Sequence, residues 1–415
     1  MEEAPIVIVG AGQAGLQLAE SLRQEKYGGD ILLLGSEVHA PYNRPPLSKK
    51  WLQEHADLSA LAIRGPEALQ RRAIELRTHQ QVVAIDRAAH TLQLADGSTQ
   101  RYAKLALTTG ARLRPLPLPG ADLPGVFGLR SIDDALSIRA ALDDCERQVL
   151  PLVVIGGGFI GLEVAATARQ RGVAVVVLEG LERLMSRVVA PIVSEAAARL
   201  HEAHGVQIEF GVKITHLSAV AGRVHAVHCA DGREFRAGCV VLGVGVLPND
   251  ELAAAAGLAC ERGIIVDECA RTADPDIVAA GDCTARRRPD GSLLRLESVQ
   301  NAVEQARSAA AALLGLARPF TAAPWFWSDQ YDVKFQMVGL SAGYDEVITR
   351  GDVAKPAFSA YYLRAGQLIA VDSLSRIQDH MNARKLLDQL ITPARAEIEN
   401  VEFDLNQLVR RPAAG

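Results

Sequence analysis

The chain writes the same strand–glycine turn–helix sentence twice, and that repetition constrains its fold more than any other feature. Ile6–Val9 is a run of β-favouring apolar residues that enters Gly10, Gly12 and Gly15, and an apolar-periodic segment follows. Leu152–Ile155 enters Gly156, Gly157, Gly158, Phe159, Ile160 and Gly161, followed by the helical LEVAATARQRG. Each is the opening of a dinucleotide-binding unit. Gly10 permits the tight turn, Gly12 lets the backbone approach a pyrophosphate, and Gly15 lets the helix pack close to its strand. The helix N-terminus then offers N–H groups and partial positive charge to the phosphates. After each turn a second strand ends in acid: Ile31–Leu34 before Ser36 and Glu37, and AVVVL before Glu179. That is roughly the ~20-residue spacing expected of a ribose-binding carboxylate. Two such sites in one chain mean one cofactor that stays and one that visits.

With 415 residues there is room for two or three domains with full cores. A net charge of −5 gives no general attraction to nucleic acid or to an anionic membrane. No apolar run approaches the ~18 residues needed to span a bilayer. The first strand begins within a few residues of Met1, which leaves no room for a signal peptide and points to the cytoplasm. Cysteines stand at 145, 229, 239, 260, 269 and 283, and none forms a C-x-x-C pair. Neither a zinc site nor an iron–sulfur cluster has ligand spacing here.

Past the first unit, APYNRPPLSKKWL (40–52) carries three prolines and reads as a stiff extended segment that turns helical near Leu47. It is either an ordinary connection or a rigid arm that holds Arg44 and Lys49 at a bound ring. Asp96-Gly97 marks a hairpin, and RLRPLPLPGADLPG marks a linker near 112–125. Ser131 caps a helix with acids in its first turn. The second unit follows, with a long helix at 191–204, and residues 239–249 return the chain to the first domain. From Trp325 the texture changes to alternating aromatic and polar residues. The expected fold is α/β: two Rossmann-like dinucleotide-binding domains in a glutathione reductase-like architecture, with a C-terminal α+β domain. The expected boundaries are 1–112 and 245–324, 113–244, and 325–415. The spaced histidine pairs 201/204 and 225/228 read as solvated faces.

In order along the chain, VGAGQAG, PYNRPPLSK, VIGGGFIGLEVAA, GVGVLPN, AAGDC, RLESVQNAVEQA and PWFWSDQYDVKFQMVG resemble the FAD-dependent NADH:ferredoxin reductases of bacterial oxygenase systems, the putidaredoxin reductase type. The last stretch is the most specific, since the others are shared by the wider two-dinucleotide flavoprotein superfamily. The resemblance implies FAD in the first fold, held by Gly10, Gly12, Ala14, Gly15, Ser36, Glu37, Arg44, Lys49, Val82, Thr109, Gly110, Arg130, Asp282, Val299 and Trp327. It implies NADH in the second, held by Gly156, Gly158, Phe159, Ile160, Gly161, Glu163, Glu179 and Gly245. The family's usual Asp is replaced by Ser36, which leaves Glu37 as the ribose acceptor, and its A-T-G triplet appears as Thr108-Thr109-Gly110. Glu179 accepts from a 2′-hydroxyl and repels a 2′-phosphate, with Arg183 nearby as the complicating cation. Lys49 and Glu163 are implied as an ion pair beside the flavin, one from each fold.

The chemistry follows from a missing thiol. No cysteine precedes Cys145, so nothing stands where disulfide-reducing relatives place their pair. The resemblance supplies another acceptor, a [2Fe–2S] ferredoxin that feeds a cytochrome P450 or another oxygenase. Catalysis is then positioning and an electron path through Lys49, Glu163 and Trp327, with no acid or base. Trp325 and Phe326 read as core. Arg286, Arg287, Arg288, Arg295, Lys334, Arg384 and Lys385 are candidate contacts for an acidic ferredoxin. The alternatives are the reductase of a ring-hydroxylating dioxygenase, a rubredoxin reductase, an NADH oxidase, and an NADH-sensing flavoprotein resembling apoptosis-inducing factor. The expected state is a monomer or weak homodimer.

Overall fold

In the computed structural model, residues 4–54, 57–288 and 290–410 are described. They form two compact units. The first gathers residues 4–43, 57–112 and 246–322; the second gathers 44–54, 113–245 and 323–410.

The first unit is built on five parallel strands in the order Ile277–Ala279, Lys104–Leu107, Ile6–Val9, Ile31–Leu34, Ile74–Arg77. Ile6–Val9 and Ile31–Leu34 are buried along their whole length, as central strands covered on both faces must be. One face packs on the glycine helix Gln13–Gln24 and on Val299–Leu313, where Leu18, Leu22, Ala306 and Ala310 meet. The opposite face carries Val7, Leu32, Leu105 and Ile277. A three-stranded meander (Val82–Asp86, Thr91–Leu94, Thr99–Arg101) includes the hairpin at Asp96-Gly97.

The second unit repeats the plan. Its parallel sheet runs Gln207–Glu209, Val175–Leu178, Leu152–Ile155, Cys239–Leu242, Val126–Gly128. The glycine helix is Phe159–Gln170. Ser131 caps Ile132–Gln148 in a reciprocal capping box with Asp134. The same unit holds a five-stranded antiparallel sheet, ordered Trp325–Gln330, Val333–Gly339, Gln367–Leu374, Phe358–Arg364, Glu346–Arg350. Helix Ile377–Asp388 lies on it, and Val338, Tyr361, Val371, Ala383 and Leu386 share that core. Arg350, itself buried, donates to Asp379 and to the carbonyls of Ile398, Val401 and Phe403, which pins the C-terminal segment to the sheet.

Candidate functional site

Gly10 has φ +112°, and a Cβ there would stand 2.2 Å from the Thr108 carbonyl oxygen. Thr108 closes the turn by donating its hydroxyl to Gly10 O at 2.8 Å. Gly156 repeats this with φ +103° and a would-be Cβ 2.6 Å from Gly243 O. Gly15 and Gly161 pack against the carbonyls of Gly10 and Gly156. The space before each helix has the opposite character. A Cβ at Gly12 would meet nothing within 4 Å, and at Gly158 only Gly243 O at 3.7 Å. No side chain caps either helix. Open backbone in front of an uncapped helix N-terminus suits a dinucleotide pyrophosphate at both turns.

Around the first turn, Ala14 is buried in the helix's opening turn and Ser36 is exposed. Glu37 is half-buried and accepts from the Tyr42 hydroxyl at 2.6 Å. Val82 opens the meander. The Thr109 hydroxyl donates to Asn249 O at 2.6 Å, the Asn249 amide returns to Thr109 O at 2.8 Å, and Gly110 O accepts from Asn249 N. Asp282 is half-buried in the turn after Ile277–Ala279, a turn fixed by Gln305, which accepts from Gly281 N and the Thr284 hydroxyl. Val299 is the first residue of its helix, with Ser298 as cap.

The other implied flavin residues belong to the second unit. Arg44 donates to Arg130 O at 2.6 Å, and Arg130 N donates to Asp134. Trp327 is half-buried and lies 5.6 Å from the Trp325 ring, on which the Arg384 guanidinium sits. Phe159 packs against Phe326 at 4.9 Å, Ile160 is 45 % exposed, and Gly245 is exposed. Glu179 has both oxygens engaged by backbone, from Gly157 N at 2.7 Å and Leu181 N at 2.8 Å. Arg183 folds back into its own loop, donating to Val189 O, Ser186 O and the Ser194 hydroxyl.

Lys49 and Glu163 meet at 2.9 Å. The carboxylate is almost completely buried. Burial pushes its pKa up, and Lys49, Ser328 and Ser48 offset that only in part, so the group stays raised above the ordinary carboxylate range. The Ser328 hydroxyl donates at 2.6 Å, the Ser48 hydroxyl bonds the second oxygen, and Ser48 O is held by the Thr167 hydroxyl. Ser48, Ser328 and Gln330 are missing from the sequence reading. The signal for two of them was available: Ser328 and Gln330 share one face of a strand at period two, and both are buried. His201 overturns the expectation of a solvated face. It is fully buried and bonds Gln330, because it continues the core stripe Val193–Ala197–His201 of its helix.

Several candidate basic contacts are already committed within their units. Arg286 stacks on Phe320 and donates to its carbonyl, and Arg295 pairs with Glu297. Arg287, Lys334 and Lys385 are exposed. Among the described residues no cluster of three His, Cys, Asp or Glu side chains could hold a metal ion. No helix there is long and apolar enough to cross a membrane.

Residues 4–306 match the pyridine nucleotide-disulphide oxidoreductase family, and 325–409 match the reductase C-terminal family. The rhodocoxin reductase of Rhodococcus erythropolis is 44% identical over 409 residues, covering 98% of this chain and 94% of that protein. The chain belongs to the ferredoxin reductases of the pyridine nucleotide-disulphide oxidoreductase family. It is an oxidoreductase, and FAD and NAD(H) are the family's cofactors. Among solved structures, the ferredoxin reductase for the CYP199A2 system from Rhodopseudomonas palustris superposes with a TM-score of 0.94 at 45% identity, covering 98% of this chain and all of that one. The covalent putidaredoxin reductase–putidaredoxin complex gives 0.93 at 38% identity, with both chains fully covered.

Proposed function

We propose that this chain takes hydride from NADH and delivers electrons singly to a [2Fe–2S] ferredoxin that feeds an oxygenase, with a cytochrome P450 as the terminal acceptor. The observation that carries this reading is the full-length likeness to ferredoxin reductases, continued through residues 325–409. The cysteines agree with it. Cys260, Cys269 and Cys283 of the first unit are free thiols, and the close pair Cys145–Cys239 lies buried against the second sheet. Bound FAD would supply the conversion of a two-electron gain into two one-electron losses.

In this reading residues 1–112 and 245–324 hold FAD, 113–244 bind NADH, and 325–415 form the third domain. The Gly10–Gly15 turn seats the FAD pyrophosphate, Glu37 accepts from its ribose, and Asp282 accepts from the ribityl hydroxyls. Arg44, Lys49, Val82, Thr109, Gly110, Arg130, Val299 and Trp327 complete the FAD set. The Gly156–Gly161 turn and Glu179 bind NADH, with Gly245 on the same site. Glu179, fixed by two N–H groups, disfavours a 2′-phosphate, and Arg183 is turned away from rescuing one. Free cysteines fit a reducing compartment, and we place the protein in the cytoplasm. Arg287, Lys334 and Lys385 are the exposed cations proposed to face an acidic ferredoxin.

The test is cytochrome c reduction by NADH with and without a candidate [2Fe–2S] ferredoxin. Strong dependence on ferredoxin is expected. Rapid oxygen consumption without any carrier would make the protein an oxidase instead.

A further inference from the structure

We propose that His201, Gln330 and Ser328 form a hydrogen-bond chain of fixed direction that ends on Glu163 and holds it as the charged partner of Lys49, which makes Ser328 and Gln330 positioning residues for the reductase. This rests on the reading above, in which Lys49 and Glu163 lie beside the flavin.

The direction follows from what each group can do. Glu163 as a carboxylate only accepts, so the Ser328 proton goes to it, at 2.6 Å. Ser328 Oγ can then only accept from Gln330, which turns the amide nitrogen toward it at 3.2 Å. The amide oxygen is left facing His201 Nε2 at 2.9 Å, so His201 carries its proton on Nε2. His201 Nδ1 is buried with no hydrogen-bond partner, which suits a bare lone pair better than an N–H that would need an acceptor. Burial also lowers the His201 pKa to about 4, so the ring stays neutral across the working range. Every dipole in the chain points the same way, and each bond strengthens the next.

The remaining contacts complete the cage. Lys49 reaches the same Glu163 oxygen from the proline-rich segment, and Ser48 takes the other oxygen. Thr167, one turn along Glu163's own helix, fixes Ser48 through its carbonyl. Among the described residues, Lys49 is the charged group that faces Glu163, and His204 and the edge-on ring of Tyr331 are titratable groups that face His201. All seven side chains belong to one unit. They come from four separate stretches: residues 48–49, the helix at 159–170, the helix at 191–203, and strand Trp325–Gln330. Each of these contacts favours the charged form of a carboxylate whose burial alone drives it toward taking up a proton.

Loss of that charge would leave Lys49 as net positive charge beside the ring, and positive charge there favours the anionic reduced flavin. The test uses the FAD-loaded enzyme. Isotope-edited infrared spectra with ¹³C-glutamate, assigned with Glu163→Gln, report the protonation of Glu163 directly. A spectroelectrochemical titration reports the flavin potential against pH. In Ser328→Ala the protonation constant of Glu163 is expected to rise about tenfold or more, the loss of one charge-assisted hydrogen bond. The flavin potential should gain extra upward slope on acidification over the same range. Ser328→Thr should restore both. Gln330→Met, which keeps the Ser328 hydroxyl, should shift Glu163 the same way by a smaller factor, and it serves if Ser328→Ala does not fold. If both variants track the parent in infrared band and potential, the chain does not hold the charge. The infrared reading needs no turnover, so it stands or falls separately from delivery to ferredoxin.

Discussion

The two glycine turns solve one backbone problem in one way, yet the helices behind them diverge two residues after the third glycine. Gly15 is followed at that position by Gln17, whose amide bonds within its own helix to Ser21 at 3.1 Å. Gly161 is followed by Glu163, a buried charge that draws in Lys49, Ser48 and Ser328 from other parts of the chain. At this position the first helix keeps its polar contact local, and its distant ion pairs come from Glu20 further along, which takes Arg64 and Arg72; in the second helix the position itself is the hub. The carboxylates at the following strand ends differ too. Glu37 takes a side-chain hydroxyl, whereas Glu179 is fixed by two backbone N–H groups. The turns are therefore general equipment for pyrophosphate, and the division of labour lies in the acids that surround them.

The sharpest way to break the comparison is at its shared element. Gly10→Ala places a methyl 2.2 Å from Thr108 O at φ +112°, a clash with backbone that nothing can relax cheaply. We expect loss of bound flavin and a cost of several kcal/mol, above the ~1–3 kcal/mol of positive-φ strain alone. Gly156→Ala, with 2.6 Å to Gly243 O, should keep its yellow colour and raise KM for NADH about tenfold or more. The flavin-to-protein absorbance ratio and an NADH titration separate the two. A colourless Gly156→Ala protein with a flavin-replete Gly10→Ala would reverse the cofactor assignment.

A second contrast sets Glu163 against Asp372, also buried. Asp372 is held by the Tyr362 hydroxyl at 2.8 Å, and burial pushes its pKa up to about 7. A carboxyl whose folded pKa is raised contributes stability that is whole below its ordinary value and is lost as pH climbs through 7. Asp372→Asn keeps an acceptor for Tyr362 and removes that loss. Its Tm should match the parent near pH 4 and exceed it at pH 8, with a gap of about 4 kcal/mol at most. A gap that does not widen between pH 4 and pH 8 would show that Asp372 is ionised without cost.

How far the sequence could be read follows the range of the interactions. Turns at Gly10, Gly156 and Asp96-Gly97, and the strands that lead into them, are written within a few neighbouring residues and were legible. The Glu163–Lys49 pair came through family resemblance, and the structure brings the two to 2.9 Å. Ser48 carries no local sign of its bond to a residue more than a hundred positions away, whereas Ser328 and Gln330 show their burial in the period-two pattern of their strand but not the identity of their distant partners, Glu163 and His201. His201 misled because an i, i+3 histidine pair looks like a wet helix face. The stripe Val193–Ala197–His201 outweighed it, since four-residue spacing puts the ring in the core.

The acids and cation of the visiting site allow a finer test. Glu179→Gln has one acceptor oxygen for two backbone donors, so either Gly157 N–H or Leu181 N–H loses its partner. The repulsion of a 2′-phosphate goes with the charge. The ratio of kcat/KM for NADH over NADPH should fall about tenfold, with flavin content unchanged, whereas Glu37→Gln should leave that ratio where it was.

Arg183 predicts the smallest change, and for that reason it discriminates best. A cation beside a ribose-binding acid invites the reading that it pairs with a 2′-phosphate, but its guanidinium is spent on Val189 O at 2.7 Å, Ser194 Oγ at 2.7 Å and Ser186 O at 2.8 Å. Freeing it would cost those three bonds, each worth roughly 1 kcal/mol net or more for a charged donor. That cost offsets much of what a phosphate could return. Arg183→Ala should therefore lower Tm by a few degrees while changing the NADH-to-NADPH ratio by less than about threefold. A large loss of NADPH activity at unchanged Tm would mean that the loop opens readily, and that Glu179 is not alone in setting the preference.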